Sequence, residues 1–292
     1  MTPARPRLPR ISAGLIAVLL LGACGADPQE TAPDDADHAG VGQGAGESEG
    51  AGESDDAGES GGAGENVVEG AAGLSAPDRL IGAAAQGAQR AASFGFTEQG
   101  FVSDEVASSY RELLEENSLA GEDPEVQVSP ESCARPLAAV DFSPLLLGEQ
   151  SVRADYFAES FSGAGSIELA TLEGEADRER VAEHLENVAE LLESCQDTEF
   201  TLDGLDYVLR IEEPDLQEQA EVPAEQAENT AAYSWQRTGD DGTTHAQILF
   251  TQVDDDIIMV SFTGGEAAGS AEFTSIAEAI AAEASAALGT AE

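Results

Sequence analysis

Apart from one apolar run near its start, the chain carries no hydrophobic periodicity until about residue 74, and from there helix-like and strand-like patterns follow one another. Over 76–92, Leu80, Ile81, Ala84 and Ala88 fall on neighbouring turns of a predicted helix. Ser103 is placed to cap a second helix, with Asp104 and Glu105 in its first turn and Val106, Tyr110, Leu113 and Leu114 as its apolar stripe. The segment 121–130, broken by Pro124 and Pro130, reads as a loop. Strands are predicted over 153–161 and 167–172, turning at Ser162-Gly163-Ala164-Gly165.

The clearest helix spans 176–194, with Val181, Leu185, Val188 and Leu192 on one face and Cys195 at its end. Asp203-Gly204 then joins strands over 199–202 and 205–211; Leu205, Tyr207, Leu209 and Ile211 form the buried side of the second. The acidic 212–229 segment, with Pro214 and Pro223, is either a recognition loop or a solvated insertion. Strands over 230–238, 244–253 and 257–263 follow, and Phe273, Ile276, Ala277, Ile280, Ala284 and Leu288 mark a closing helix. These elements predict an α+β fold: a mostly antiparallel sheet of about six to seven strands with helices packed on it, over 74–292. Tyr156, Phe157, Phe161, Tyr207, Tyr233, Trp235, Phe250 and Phe262 are expected to fill its core.

The early run changes the picture of where this domain works. Arg5, Arg7 and Arg10 precede the apolar stretch 11–23, the charged and apolar regions of an export signal. The stretch is short of the ~20 residues a membrane span needs. It ends in Leu21-Gly22-Ala23-Cys24, which resembles the lipobox of bacterial lipoproteins. That resemblance implies cleavage before Cys24, leaving 1–23 as signal peptide, and a diacylglyceryl group with fatty chains such as palmitate on the Cys24 sulfur. Two acyl chains hold a protein stably on a membrane, so the expected location is the extracytoplasmic face of the cell membrane, lipid-anchored.

Charge narrows the partners further. Nine of the twelve arginines and all 58 acidic residues follow Cys24, a formal balance of −49, and the chain has no lysine. Such a chain does not suit nucleic acid or anionic headgroups. The acidity is either a solvating surface or a cation-binding feature. It is concentrated first in 24–73, where Ala45-Gly46-Glu47-Ser48 recurs every six residues to Ala63-Gly64-Glu65-Asn66. That composition predicts a disordered tether of roughly 40 Å. Gly58-Glu59-Ser60-Gly61-Gly62 inside it matches a nucleophile-elbow pattern by chance, since neither strand nor helix flanks it.

With Cys24 assigned to lipid, Cys133 and Cys195 remain as a pair without a Cys-x-x-Cys spacing, which predicts a structural disulfide in an oxidising compartment. His38 falls in the tether, while His184 is expected to be partly exposed on a helix flank; with His245 these are all the histidines. The acidic turns 239–242 and 254–256 lack EF-hand spacing. No catalytic, metal or cofactor set is therefore predicted. Tyr233 and Trp235 share one strand face, as a core seam or as the aromatic floor of a ligand cleft. Function stays open between a non-catalytic binding or sensor module with an unknown envelope ligand, an envelope hydrolase, and a protein-interaction module.

Ser129-Pro130-Glu131-Ser132-Cys133, a Tyr-containing strand, a second strand, an amphipathic helix ending in Cys195, paired strands and a final helix together resemble the extracellular sensor domain of mycobacterial PknH-type kinases and related actinobacterial lipoproteins. The resemblance covers about 71–292. It implies an antiparallel sheet with packed helices, a ligand cleft and no catalytic residues. The chain departs from it in having Leu191 and Leu192 where a Trp is common, and no cysteine after Cys195.

Overall fold

Alternating strands and short turns build one antiparallel sheet in the computed structural model, which describes residues 68–71, 73–116, 126–202, 204–216, 230–240 and 242–289. The Leu21-Gly22-Ala23-Cys24 motif, the acidic repeat and most of the 212–229 segment lie outside the described residues. In chain order the strands are β1 (Glu98–Phe101), β2 (Gln127–Ser129), β3 (Ser151–Phe157), β4 (Gly163–Thr171), β5 (Asp197–Leu202), β6 (Leu205–Glu212), β7 (Thr230–Gly239), β8 (Gly242–Val253) and β9 (Asp256–Gly264). Their order across the sheet is β1-β3-β4-β9-β8-β7-β6-β5-β2.

The sheet thus has nine described strands instead of six or seven. The two additional strands, β1 and β2, are edge strands of four and three residues, too short to show an alternating pattern. Val68 is already buried, and the Phe101 amide donates to the Glu69 carbonyl at 2.8 Å, so the backbone before the first helix covers the outer side of β1.

Helices cover both faces. On one side lie α1 (Asp78–Ala92) and α4 (Ala271–Gly289), which pack on each other and on β3, β4, β8 and β9. The buried positions of α1 include Ala83, Ala84, Gly87, Ala88 and Ala91, and these small side chains bring its backbone close to the sheet. Phe96 sits at the centre of this core, with the rings of Tyr156, Phe262 and Phe273 between 5.2 and 6.1 Å away. Phe161 is only partly buried, and Phe157 faces the opposite way from Tyr156 and is half-buried. Gly163 to Gly165 are strand, not turn. A side chain at Gly165 would run into the Tyr156 and Phe262 rings, so glycine lets them lie across β4.

On the opposite face, α3 (Glu175–Ser194) and the 3-10 turns Pro136–Asp141 and Pro144–Leu147 cover the β5–β9 side chains. The α2 helix (Asp104–Glu116) starts at Ser103, whose Oγ accepts from the Val106 amide at 3.4 Å. Val106 itself is exposed, whereas Ala107 and Leu114 are buried. The face α3 turns to the sheet is Val181, His184, Asn187, Val188 and Leu191, with Leu185 and Leu192 only partly buried. His184 is therefore a core residue, 3 % exposed, and not a flank residue.

A bond between Cys133 and Cys195 ties the turn Glu131–Cys133 to the end of α3 across a Cα–Cα distance of 5.7 Å, and both residues are sealed from solvent. The acidic turn after β8 is held by arginines: Asp255 pairs with Arg178 at 2.7 Å, while Asp256 pairs with Arg79 and accepts from the Thr171 hydroxyl at 2.8 Å. These two carboxylates serve as ties between strand ends and helices.

Candidate functional site

The α3 side of the sheet is covered unevenly, and the reason is side-chain size. Towards the turn between β8 and β9, these strands present Phe250, Ile257 and Met259, and the His184 ring of α3 lies 5.5 Å from that of Phe250. At the other end of the same face the strands present Ala164 and Ser166 from β4, Ala246 from β8, and Ser261 and Thr263 from β9. Small residues there leave a hollow. Tyr110 and Leu114 of α2 wall one side of it, and Tyr233 and Trp235 of β7 also line it. The cleft is open on one side and has a volume of about 60 Å³, well below the ~300–1,000 Å³ of a typical drug-sized site.

Its polar side is a buried ion cluster set by strand register. Arg153 of β3 stands opposite Glu168 of β4, and its Nη1 donates to Glu168 Oε1 at 2.8 Å. Its Nε donates to Asp155 Oδ1 at 2.7 Å. The Ser143 hydroxyl donates to the other Glu168 oxygen, and Ser143 Oγ also accepts from the Leu145 amide at 3.2 Å, capping the Pro144–Leu147 turn. Burial pushes the Glu168 carboxyl up from its ordinary value, while Arg153 and Ser143 oppose that rise. The Arg153 guanidinium lies over the Tyr110 ring at 5.5 Å, which anchors α2 to the sheet. Burial pushes the Tyr110 phenol up to about 12, so it stays a neutral hydroxyl across the physiological range.

Beyond the ion cluster and Asp141 the lining is uncharged. The Ser166 and Ser261 hydroxyls are 2.8 Å apart on directly paired residues of β4 and β9. Tyr233 is fixed by donating to the Ala139 carbonyl at 3.0 Å. Tyr233 and Trp235 belong to the core on this face and also border the cleft; they are 1 % and 7 % exposed.

No family model matches the chain, and no curated protein is similar to it. A structural neighbour is the extracellular domain of PknH from Mycobacterium tuberculosis, at a TM-score of 0.36 and 12% sequence identity, covering 56% of this chain and 77% of that one. A likeness of that size transfers neither a ligand nor an activity, and the site is read from this chain's own residues.

His184 lies behind the cleft. Its ring stacks on Phe142 at 4.0 Å, and Phe142 lines the cleft; among the described residues neither ring nitrogen has a hydrogen-bond partner, and Asn187 Oδ1 one turn on is likewise unpaired. Neither His184 nitrogen reaches a serine or carboxylate, so no nucleophile–base pair forms there. The position was hidden in the sequence because His184 and Asn187 are polar on a face that Leu185 and Leu192 suggested lay elsewhere.

Burial lowers the His184 pKa to about 3. The unfolded chain, with a histidine near 6.5, binds the extra proton first, so this residue's stabilising contribution is complete above pH 6.5 and is lost as pH falls towards 3. Between pH 8 and pH 5 the loss is about 2 kcal/mol. His184→Leu should remove this component, and urea unfolding of both proteins at the two pH values measures it. Equal losses in the two proteins would place His184 in solvent.

Proposed function

We propose that this chain is a lipid-anchored, extracytoplasmic binding or sensor-type protein that holds a small ligand and performs no chemistry on it. The observation that carries this reading is the cleft itself: a concave site walled by three different elements, in which Arg153 and Glu168 are already paired with each other. Glu168 is held by Arg153 and Ser143, so it has no proton-abstracting role to offer, and the geometry favours fixed recognition over catalysis. The Leu21-Gly22-Ala23-Cys24 motif supports the anchor, and the Cys133–Cys195 bond suits an oxidising compartment outside the cytoplasm. In this reading the acidic segment after Cys24 spaces the domain from the membrane.

Intact-mass measurement of full-length protein extracted from membranes tests the anchor. The expected species starts at Cys24, carries a diacylglyceryl group there, and gains two hydrogens on reduction. A protein that retains residues 1–23, or an unmodified Cys24, would overturn the anchored reading.

A further inference from the structure

We propose that the strap formed by the two 3-10 turns, with Phe142 at its middle, opens away from α3 in acid and uncovers His184 to the cleft. This equilibrium belongs to the fold itself and needs no ligand, so it goes beyond the binding reading above. The strap runs antiparallel to α3 and is tied to it at both ends. At one end Cys133 is bonded to Cys195 and Arg135 donates to Glu190 at 2.8 Å; at the other Arg180 donates to the Leu146 carbonyl. Midway, Phe142 meets α3 through its stack on His184 at 4.0 Å, a contact without a hydrogen bond. Towards the sheet the strap is held by Tyr233, which donates to the Ala139 carbonyl, and by Ser143, which donates to Glu168. Phe142 lies between these two anchors, and its own amide reaches the Ala139 carbonyl only at 3.4 Å.

The closed strap seals polar groups that it does not satisfy. Among the described residues both ring nitrogens of His184 and Asn187 Oδ1 are buried without a partner. Such groups give up their bonds to water on closing and gain none in return, which weakens the middle of the strap against its ends. Once it opens, the His184 nitrogens reach water and the ring takes a proton at its ordinary value. In the closed form burial holds His184 at about 3. The open form therefore binds the proton first as pH falls, and acid shifts the balance towards it. The groups around the ring do not reverse that sign. The strap brings Asp141, which is engaged within the protein, and Glu168 lies beyond Ser143, held by Arg153. From β7 comes Tyr233, whose phenol burial pushes up, and β8 supplies the uncharged Phe250. On α3 itself Arg180 and Glu183 are exposed. Burial, and none of these charges, is what lowers His184.

Amide hydrogen exchange of the full-length protein at pH 8 and pH 5, divided by the intrinsic exchange rates, tests this at Phe142, Leu145 and Leu146, whose amides bond within the strap. A histidine that returns from about 3 to about 6.5 on opening raises the open fraction roughly 30-fold between the two pH values. The expected result is that rise, with the strap amides exchanging faster than those of β9 at both pH values. His184→Gln should lose the rise and Asp141→Asn should keep it, with native folds checked by circular dichroism. Phe142→Leu removes the stack; it should raise the open fraction at both pH values while keeping their ratio, and it reads the proposal even if His184→Gln does not fold. Strap amides as slow as those of β9 would show that the strap is released only with the whole domain and overturn the proposal. So would a rise below about 3-fold, or a Phe142→Leu open fraction no higher than that of the wild type. A rise that persists in His184→Gln assigns the trigger to Asp141 or Glu168 and overturns the role of His184.

Discussion

Arg153→Met is expected to destabilise the protein by about 3–5 kcal/mol, because it strips the counter-ion from a carboxylate that is sealed in the sheet. The Glu168 side chain is 2 % exposed and that of Arg153 14 %, so solvent cannot stand in for the lost partner. Asp155 loses its partner in the same step, and Tyr110 loses the guanidinium over its ring, which loosens α2 from the cleft wall. The effect should depend on pH. Without Arg153 the Glu168 pKa rises further, the folded variant takes up a proton that the unfolded chain still lacks, and the variant's deficit shrinks as pH falls towards the ordinary carboxyl value. The double variant Arg153→Met/Glu168→Met should be more stable than Arg153→Met alone, since two apolar groups replace a broken pair. Urea unfolding at pH 8 and pH 5 reads all three; a single-variant cost under about 1 kcal/mol would mean the pair is solvated.

Removing the disulfide is the second large effect. The Cys133–Cys195 bond spans 62 residues, and in the chain-entropy model a loop of that size contributes about 4 kcal/mol by restricting the unfolded chain. The loop encloses both 3-10 turns, Pro136–Asp141 and Pro144–Leu147, with β3, β4 and α3, so it holds the elements that carry Ser143, Arg153, Ser166 and Glu168. Cys133→Ala/Cys195→Ala should therefore lower the unfolding free energy by about that amount. The denaturant slope should rise, because the uncrosslinked chain exposes more surface when unfolded. A loss below about 1 kcal/mol with an unchanged slope would show that the unfolded chain gains little freedom from cutting the bond.

How much of this was legible before the structure depends on the kind of signal each element gives. The β6 strand was readable because Tyr207, Leu209 and Ile211 alternate with exposed neighbours, although Leu205, expected on the same buried side, is exposed beside the hairpin turn; the α4 helix was readable because its apolar residues recur at helical spacing. Two cysteines left over after Cys24 made the disulfide readable without any geometry. Short pieces were not readable: β2 has three residues, and the 3-10 turns between Glu131 and Leu147 are too brief for any period to show.

The ion cluster was hidden for a different reason. Among 58 acidic residues no carboxylate stands out by type, and only the antiparallel register places Glu168 opposite Arg153. A faint signal was present: Glu168 sits between Ile167 and Leu169 in a strand buried on both faces, and a charge in that context needs a partner. Tyr233 and Trp235 were readable as a pair on one face. Their place beside a hollow came from the small residues Ala164, Ser166, Ala246 and Ser261 on three other strands, which only the strand order β4-β9-β8-β7 brings together.

The central claim, that this cleft holds a small ligand, is tested most directly by thermal unfolding of full-length protein with small-molecule extracts of the cell envelope, alongside Ser261→Leu, which fills the hollow. A ligand present at about 100 times its Kd stabilises by roughly 2.7 kcal/mol, or about 5–10 °C in a domain of this size. The account predicts that at least one extract fraction raises the wild-type Tm by that margin and leaves the Ser261→Leu Tm where it was; no shift in any fraction, or the same shift in both proteins, would contradict it.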